Sequence, residues 1–473
     1  MEAEFDITPA SAIGQVKMIK WEPDVSAFEG PKYRALVAAL EMDINAGKLK
    51  PGDRLPPQRD LATTFGVTIA TVTKAIAEAR QRGLVTAVKG SGTFISEPKD
   101  KEPKPQGLID LSLNIVPTSV VAEELNRALD KSLREDGANR LFSFSSYSDE
   151  GGRFADGLDW LATVGFRPFG DTVTFPCHGG QHGILAALST LAGPGDTILC
   201  EAQTYTGMLR IAEQLGQKAV GVELDDEGIV PDALEKAFAE TNAKVVFIIP
   251  TLQNPTGVTM SEARRRQVAD ICVRYDAFII EDETQLPLAG VGLPLLSSFA
   301  PDNIVVITGF SKCLAAGIRL GYASVPRKIG HKFHEALVAS GWLAPTLYPN
   351  LIGKMVQDGS LDACLMKHKE EASARLELAY SVFGDAVGKI NQHSYHLWLN
   401  IGPAQPVDAL VEIARVMGVK IVSAKHFCCA NVEVPQAIRL CLGAVEDCEM
   451  LSEGLQLLRR TLADPGRDSD IVF

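Results

Sequence analysis

Between residues 172 and 308, short apolar segments alternate with stretches of helical periodicity. This alternation restricts the fold more than any other feature, because strands separated by helices form mostly parallel sheets covered on both faces. Strands are predicted at 172–176, 196–200, 219–223, 245–250, 277–281 and 304–308. Helices are predicted between them at 181–192, 206–216, 231–239 and 261–275. The sequence therefore predicts a large α/β domain.

Beyond about residue 345 the order of elements changes. Long helices are predicted at 351–382 and 406–417, and short strands at 396–400 and 437–442. A mixed order of this kind indicates a separate, smaller α+β domain. The chain of 473 residues is long enough for about three domains.

The charged residues are unevenly distributed along the chain. The net charge is −13, yet residues 1–100 hold 13 Lys/Arg and 13 Asp/Glu, so the acidic excess lies beyond residue 100. Within 48–93 there are eight basic and three acidic residues. The sequence predicts a small basic module attached to a large acidic body, and a basic module suits a nucleic-acid partner.

Cysteine usage and hydropathy indicate the compartment. The nine cysteines are scattered and lack Cys-x-x-Cys spacing, which is typical of reduced thiols. No apolar stretch approaches the roughly 18 residues of a membrane helix, and the acidic start MEAEFDITPA does not resemble a signal peptide. We expect a cytoplasmic protein with mostly buried free thiols, no membrane association and no metal site.

A winged helix-turn-helix is predicted near the N-terminus. Helices are predicted at 33–44, 58–65 and 68–79, followed by strands at 84–88 and 93–96. Gly66 supplies the tight turn before the third helix, and the glycine-rich tip 89–92 joins the strands. In such a module the third helix enters the major groove while the second helix and the wing reach phosphates. A winged helix that binds protein is the alternative.

The segment Leu55–Ala62 (LPPQRDLA), together with Gly83-Leu84 and Gly92-Thr93-Phe94, resembles the winged-helix domain of GntR-type regulators over about 33–96. The resemblance implies a DNA contact for Arg59. The other candidates lie on or near the start of the third helix and at the wing tip, and they are Thr68, Ala70, Thr71, Thr73, Lys74 and Gly90.

Two positions depart from the GntR-type pattern. Family members often carry arginine where this chain has Ile69 and Thr73. Fewer charged contacts imply weaker general affinity for DNA and a greater dependence on dimerisation.

A lysine, a carboxylate and an anion-binding loop occur at predicted strand ends, which is what pyridoxal 5′-phosphate requires. Lys312 offers an amine for a Schiff base with the aldehyde of this cofactor. Asp282 suits a protonated ring nitrogen, and the segment 179–181 opens a helix whose free amides suit a phosphate. The complete set of candidates is Gly179, Gly180, Gln181, Tyr205, Asn254, Asp282, Ser311, Lys312 and Arg319.

From residue 110 to 460 these motifs resemble a fold-type I aminotransferase. Together with the N-terminal winged helix, they make the chain resemble the MocR/GabR-type subfamily of GntR regulators, whose effector domain is aminotransferase-like. The resemblance implies that Arg439 holds the carboxylate of an amino compound, a role that suits a guanidinium fork. A salt-bridged arginine at a strand end is the alternative. His396 also matches a family pattern, although a buried structural histidine is the expectation there.

Departures from the aminotransferase pattern bear on activity. Thr284 and Gln285 stand where a tyrosine commonly donates to the ring oxygen, and His182 stands where glutamine is common. We expect cofactor binding to survive these changes, whereas efficient transamination is less secure, because hydrogen bonds to the ring oxygen tune the electrophilicity of the Schiff base.

Five segments are predicted. They are a winged helix-turn-helix (28–96), a linker (97–108), a large cofactor-binding domain (109–345), a small C-terminal domain (346–462) and a tail (463–473). The charged, proline-bearing composition of the linker predicts an extended segment.

The resemblance implies a transcriptional regulator rather than an enzyme. It would sense an amino compound through transaldimination at Lys312, bind double-stranded operator DNA and control genes for the transport or catabolism of amino compounds. A homodimer is expected, with each winged helix packed on the partner's body in a domain-swapped arrangement. The alternatives are a working aminotransferase with a fused DNA-binding module, and a regulator that senses the cofactor itself.

Overall fold

The computed structural model describes residues 21, 31–81, 84–88, 92–96, 108–142, 154–290, 292–342, 345–388, 390–402 and 406–463. The chain divides into two units, Met1–Gly107 and Leu108–Phe473. Each unit has its own hydrophobic core. Within the described ranges, no helix has the length and apolar character needed to cross a membrane.

The N-terminal unit is a three-helix module with a two-stranded wing. Its elements are α1 (Lys32–Asn45), α2 (Gln58–Thr64), α3 (Ile69–Gln81), β1 (Val85–Val88) and β2 (Gly92–Ile95). The two strands pair antiparallel, with Val85 opposite Ile95. The helix-turn-helix and its hairpin therefore occur where the sequence predicts them.

Local chemistry defines the turn between α2 and α3. Gly66 has a φ of +58°, a left-handed conformation that favours glycine. The hydroxyl of Thr68 accepts a hydrogen bond from the backbone N–H of Thr71 at 3.2 Å and so caps α3. These two residues orient α3 relative to α2.

The core of the N-terminal unit includes one residue upstream of the predicted domain. Trp21 is buried, and its ring meets Phe65 edge-on with 5.6 Å between the ring centroids. Its indole N–H donates to Asp43 at 3.1 Å. Trp21 therefore belongs to the hydrophobic core of this unit.

The C-terminal unit begins with an α/β body. Its elements are β3 (Ile109–Asp110), α4 (Ala122–Leu141), α5 (Ala155–Thr163), β4 (Thr172–Cys177), α6 (Gly180–Leu191), β5 (Thr197–Glu201), α7 (Thr206–Gln214), β6 (Lys218–Val222), β7 (Leu224–Asp225), β8 (Gly228–Ile229), α8 (Pro231–Thr241), β9 (Val245–Ile248), α9 (Glu262–Arg274), β10 (Phe278–Asp282), α10 (Leu286–Ala289), β11 (Ile304–Gly309), β12 (Gly321–Pro326) and α11 (Arg327–Gly341). Short 3-10 helices lie at Thr118–Val121 and Leu296–Ser298.

Seven of these strands form one sheet in the order β4-β12-β11-β10-β9-β5-β6. All neighbours from β11 to β6 are parallel, whereas β12 runs antiparallel to both β11 and β4. Alternate residues of a strand point to opposite faces. Along β11, Ile304 and Val306 accordingly enter one hydrophobic core, and Val305 and Ile307 enter the other. The sheet is covered on both faces, as predicted.

The remainder of the chain forms a smaller α+β region. Its elements are α12 (Leu347–Gln357), α13 (Ser360–Phe383), β13 (His396–Asn400), α14 (Val407–Val416), β14 (Val419–Lys420), β15 (Val422–Ser423), β16 (Ala437–Cys441) and α15 (Cys448–Ala463), with 3-10 helices at Gly384–Val387 and Ala424–Phe427. Strands β13, β16 and β15 form an antiparallel sheet, and β14 pairs with β3. This pairing joins β3, the first strand of the C-terminal unit, to the smaller α+β region.

The single helix predicted at 351–382 is wrong, because two helices occupy this region. Helix α12 ends at Gln357 and α13 begins at Ser360. Gly359 between them has a φ of +76°, and a side-chain oxygen of Asp358 accepts from the N–H of Ser360 at 3.0 Å. A left-handed glycine followed by a capped helix start is a helix boundary.

A buried arginine holds the end of β10 in place. Arg265 on α9 is 1% exposed and lies 2.9 Å from Glu283 and 3.7 Å from Glu281. It also donates to the hydroxyl of Thr251 at 2.8 Å. The two glutamates flank Asp282, so the cation fixes the backbone from which that aspartate projects.

We expect Arg265→Met to lower the free energy of unfolding by about 3–5 kcal/mol, because the buried carboxylate of Glu283 would lose its cation. Arg274→Met on the same helix is the matched control. Arg274 lies 2.8 Å from Glu235, but both side chains are about half exposed, so its loss should cost less than about 1 kcal/mol. Urea unfolding of the full chain, followed by circular dichroism, measures both effects. Equal losses in the two variants would contradict this role for Arg265.

Candidate functional site

The direction of β12 brings distant segments of the chain to one edge of the sheet. Gly309 at the end of β11 lies opposite Gly321 at the start of β12, and Gly321 lies opposite Cys177 at the end of β4. Lys312 follows β11, Arg319 precedes β12, and the loop at Gly179 follows β4. Because β12 is antiparallel to both neighbours, these three segments meet.

Gly321 permits this meeting by its lack of a side chain. A Cβ atom at this position would lie 2.6 Å from the carbonyl oxygen of Thr308 and 3.0 Å from the backbone of Gly179. Real Cβ contacts are longer than this, so any other residue would push the three segments apart. A glycine is therefore required by the packing of this sheet edge.

The loop before α6 forms an anion-binding corner. Gly179 has a φ of +74° and precedes the helix, whose first amides have no helical partner. A Cβ at Gly179 would lie 3.1 Å from the guanidinium of Arg319. A helix N-terminus beside an arginine suits a phosphate, because both the helix dipole and the guanidinium attract negative charge.

Lys312 lies partly buried in the wall of a cavity beside this corner. Its ammonium donates a short hydrogen bond to the backbone oxygen of Asn114. Burial lowers the pKa of Lys312 to about 8, and the positive charge of Arg439 acts in the same direction. A lysine with this pKa holds a substantial neutral fraction near physiological pH, which nucleophilic attack on a carbonyl requires.

Asp282 faces the same cavity from the end of β10. Its carboxylate accepts from the backbone N–H of Thr284 at 3.0 Å. Burial nevertheless raises the pKa of Asp282 to about 6, since the charged form is desolvated. A cation bound next to this carboxylate would stabilise its charged form, so the site fits a protonated ring nitrogen.

The cavity has a volume of about 300 Å³. Eight of the nine residues predicted to bind the cofactor line it, and the ninth, Gly179, lies beside Arg319. The full lining is Ser112, Leu113, Asn114, Ile115, Gly180, Gln181, Ile184, Tyr205, Thr206, Ile249, Asn254, Asp282, Thr284, Gln285, Ser311, Lys312, Ala316, Arg319 and Arg439. Segments that are far apart in sequence thus surround one space.

Arg439 projects from β16 into this cavity. Its guanidinium donates to the side-chain oxygen of Asn254 at 2.8 Å and to the backbone oxygen of Ser112 at 2.6 Å. It also lies 4.5 Å from the centroid of the Phe427 ring. Among the described residues, no carboxylate forms an ion pair with Arg439, which speaks against the alternative of a salt-bridged arginine.

One wall of the cavity has no counterpart among the predicted site residues. Residues 112–115 line it, and the backbone oxygens of Ser112 and Asn114 accept from Arg439 and Lys312. Backbone carbonyls leave no signature in a sequence, so these contacts depend on the fold alone. Thr284 and Gln285, noted for the absence of a tyrosine, also line the cavity.

Two histidines have structural surroundings. His396 is buried, and its Nε2 lies 2.9 Å from the backbone oxygen of Gln253. Burial lowers its pKa to about 3, so it stays neutral, as expected for a structural histidine. Burial likewise lowers the pKa of His182 to about 4, and its ring lies within hydrogen-bond distance of Ser340.

In the N-terminal unit, the predicted DNA contacts occupy α2 and the start of α3. Arg59, Thr68, Ala70, Thr73 and Lys74 are exposed, and Thr71 is partly exposed. Several of these polar groups already have partners within the unit. The ammonium of Lys74 lies 4.1 Å from the ring centroid of Tyr33, and the hydroxyl of Thr73 donates to Gln58 at 2.8 Å. Gly90 lies outside the described residues.

We expect Lys312 in the cofactor-free protein to titrate with a pKa of about 8, whereas exposed lysines titrate near about 10.4. Competitive acetylation of every lysine across a pH series, quantified by peptide mass spectrometry, measures this difference. Arg439→Gln should raise the pKa of Lys312, because a positive charge is removed. Arg415→Gln, which removes an exposed arginine paired with Glu412, should leave it unchanged. An ordinary titration of Lys312 would contradict the described burial.

Comparison with known proteins agrees with this architecture. Residues 32–95 match the family of bacterial regulatory proteins of the gntR type, and residues 171–457 match aminotransferase class I and II. The multiple substrate aminotransferase of Thermococcus profundus superposes with a TM-score of 0.68 at 21% identity, covering 76% of this chain and 92% of that chain. This likeness shows the aminotransferase fold.

Two relatives are named as HTH-type transcriptional regulators. The HTH-type transcriptional regulator YdeF of Bacillus subtilis is 31% identical over 94% of this chain and 97% of its own length. The HTH-type pyridoxine biosynthesis transcriptional regulator PdxR of Corynebacterium glutamicum is 30% identical over 59% of this chain and 63% of its own length. The aminotransferase fold implies pyridoxal 5′-phosphate, and the helix-turn-helix implies DNA binding. The chain belongs to the MocR-type GntR transcriptional regulators, in which a helix-turn-helix domain is fused to an aminotransferase class I and II domain.

Proposed function

We propose that this regulator binds pyridoxal 5′-phosphate at Lys312, senses an amino compound there, and thereby changes its affinity for operator DNA. The genes under its control would serve the transport or catabolism of amino compounds. One observation carries the proposal: Lys312, Asp282, Arg319 and Arg439 line a single cavity at the edge of the sheet. An amine, a carboxylate and two guanidinium groups are the groups needed to hold the cofactor and an anionic amino compound.

The described residues fit the cofactor. Its phosphate would lie at the N-terminus of α6 beside Arg319 and Ser311, and its ring nitrogen would face Asp282. Asn254 would donate to the ring hydroxyl, and Tyr205 would cover one face of the ring. When bound, pyridoxal 5′-phosphate supplies an aldehyde carbon that bonds reversibly to amines.

The protonation state of Lys312 suits reversible exchange with an incoming amine. With a pKa of about 8, roughly a tenth of the Lys312 side chains are neutral at about pH 7. An exposed lysine would be neutral in fewer than about one molecule in a thousand. Lys312 can therefore form and release a bond to the aldehyde carbon of the cofactor under physiological conditions.

Arg439 would orient the amino compound. One of its N–H groups donates to the backbone oxygen of Ser112, and its Nε is buried without a hydrogen-bond partner among the described residues. A carboxylate could accept from both donors, which is the bidentate geometry that guanidinium groups favour. The cavity wall near Leu113 and Ile115 is apolar and would contact the rest of the compound.

A working aminotransferase is a second candidate, because the groups for cofactor chemistry are present in one cavity. Position 285 weighs against it. Gln285 is 4% exposed and is a weaker donor to a ring oxygen than a tyrosine hydroxyl. A regulator needs exchange at Lys312 but no turnover.

A homodimer is part of the proposal. A second cavity of about 510 Å³ is lined by His178, Gln181, His182, Arg319 and Ser340, among others. It shares Gln181 and Arg319 with the first cavity. A second copy of the chain seated there would cover the phosphate side of the site. The domain-swapped arrangement of winged helices belongs to the same proposal.

The central test measures DNA affinity of the cofactor-loaded protein by fluorescence anisotropy, with DNA from the region upstream of its own gene. Among a panel including γ-aminobutyrate, taurine and D-alanine, we expect one amino compound to change affinity about tenfold or more. Lys312→Ala should abolish this response and the absorbance at about 420 nm, whereas Lys425→Ala, which removes an exposed lysine, should retain both.

Other outcomes of this test separate the alternatives. Steady formation of a keto acid product would favour the aminotransferase. A change in DNA affinity with the cofactor alone, unaffected by Arg439→Gln, would favour a sensor of pyridoxal 5′-phosphate. A colourless protein after incubation with the cofactor would overturn the proposal.

We expect Arg59→Ala to weaken DNA binding about tenfold and to reduce the dependence of affinity on salt, because one cationic contact is lost. Arg80→Ala is the charge-matched control, since Arg80 lies in the last turn of α3, far along the helix from its start. Anisotropy titrations at several salt concentrations measure both. Equal losses for the two variants would mean that only net charge matters.

A further inference from the structure

Two cysteines from distant parts of the chain meet in the C-terminal unit. The sulfur atoms of Cys200 and Cys429 lie 3.2 Å apart, although the residues are 229 positions apart in sequence. Cys200 belongs to β5, and Cys429 follows the 3-10 helix Ala424–Phe427. Both residues are buried. A distance this short means that no other atom separates the two sulfurs.

Backbone hydrogen bonds join the segment after Cys200 to the segment that contains Cys429. The N–H of Thr204 donates to the carbonyl of Phe427 at 2.9 Å, and the N–H of Cys429 donates to the carbonyl of Ala202 at 3.2 Å. Little movement is therefore needed for the sulfurs to reach bonding distance.

An asparagine makes a second attachment of the same segment. Asn431 exchanges two hydrogen bonds with the backbone of Gly221, at 2.9 and 3.0 Å. Ala430 and Asn431 are exposed, and Cys429 itself is 4% exposed. A small oxidant can approach it from that side.

We propose that Cys200 and Cys429 form a reversible disulfide when the protein meets a hydroperoxide. The thiolate of Cys429 attacks one peroxide oxygen, giving a sulfenic acid and releasing hydroxide, which takes up a proton. The Cys200 sulfur then attacks the sulfenic sulfur, and the hydroxyl leaves as water with the Cys200 proton. In total, two thiols and one hydrogen peroxide give one disulfide and two waters.

Exposure separates the two cysteines. Cys429 is 4% exposed whereas Cys200 is fully buried, so a peroxide reaches Cys429 first. Contact with Cys429 and burial also raise the pKa of Cys200, which disfavours its thiolate. Since the thiolate is the nucleophile, Cys429 is the attacking residue and Cys200 resolves the sulfenic acid.

The neighbouring Cys428 has different surroundings. Its thiol lies 3.3 Å from the backbone oxygen of Ala424, and burial raises its pKa. Because it is adjacent to Cys429 in sequence and is more exposed, it is the control that separates geometry from accessibility. A reaction decided by accessibility would take place at Cys428.

The disulfide would tie the segment that packs against Arg439 to the large sheet. Phe427, whose ring lies under Arg439, is two residues before Cys429. Where Arg439 holds the amino compound, which rests on the proposed function, the oxidised protein would hold that arginine more rigidly. Formation of the bond itself does not depend on that function.

The test treats the full-length protein, reduced and then freed of reductant, with hydrogen peroxide. Non-reducing peptide mass spectrometry should find a Cys200–Cys429 cross-link, and thiol titration after denaturation should fall from nine to seven. Dithiothreitol should restore nine. The oxidised protein should also unfold at a higher temperature. A cross-link through Cys428, or a thiol loss without any cross-link, would overturn the proposal.

Variants give an independent check. Cys428→Ser should form the cross-link normally, whereas Cys429→Ser and Cys200→Ala should not form it. Circular dichroism establishes whether each variant folds. If a variant does not fold, the peptide mapping of the cross-link in the wild-type protein still tests the proposal. If the protein forms the Cys200–Cys429 cross-link but its DNA affinity does not respond to any amino compound, only the proposed function is contradicted.

Discussion

The insertion of antiparallel β12 between β4 and β11 is the constraint on which the site depends. A wholly parallel sheet would place the start of the strand after Arg319 at the opposite edge from Lys312. The reversed direction puts the start of β12 beside the ends of its two neighbours, with Gly309 opposite Gly321. The close contact of Gly321 with Thr308 and Gly179 makes this arrangement tight. The anion-binding corner and Lys312 therefore lie at the same place on the edge of the sheet.

Burial then adjusts the chemistry of the groups that meet there. The same desolvation raises the pKa of Asp282 to about 6 and lowers that of Lys312 to about 8. Each group is destabilised in its charged form, so a ligand of complementary charge at Asp282 and an electrophile at Lys312 both gain from binding. The buried ion pair of Arg265 with Glu283 holds the backbone at the end of β10, from which Asp282 projects.

Sequence patterns could predict six of the seven strands of the large sheet and the residues at their ends, because hydrophobic periodicity and motif spacing are local. They did not reveal β12 or α11, nor the break at Gly359, since one glycine within a helical pattern is ambiguous. The contact of Arg439 with Asn254 joins residues 185 positions apart. The oxygens of Ser112 and Asn114 belong to the backbone. No local pattern encodes either kind of contact.

Two of the three cationic side chains that line the cavity are hydrogen-bonded to the backbone of residues 112–114. Arg439 donates to the carbonyl of Ser112, and Lys312 donates to that of Asn114. A ligand that draws either cation away competes with this stretch of backbone for the same hydrogen bonds. By thermodynamic reciprocity, an interaction that stabilises these hydrogen bonds of residues 112–114 weakens the binding of that ligand. Binding of the ligand in turn weakens these hydrogen bonds. Of the residues that line the cavity, 112–115 are the nearest along the chain to the N-terminal unit, which ends at Gly107. A ligand in the cavity therefore changes the hydrogen bonds of the stretch that lies closest in sequence to that unit.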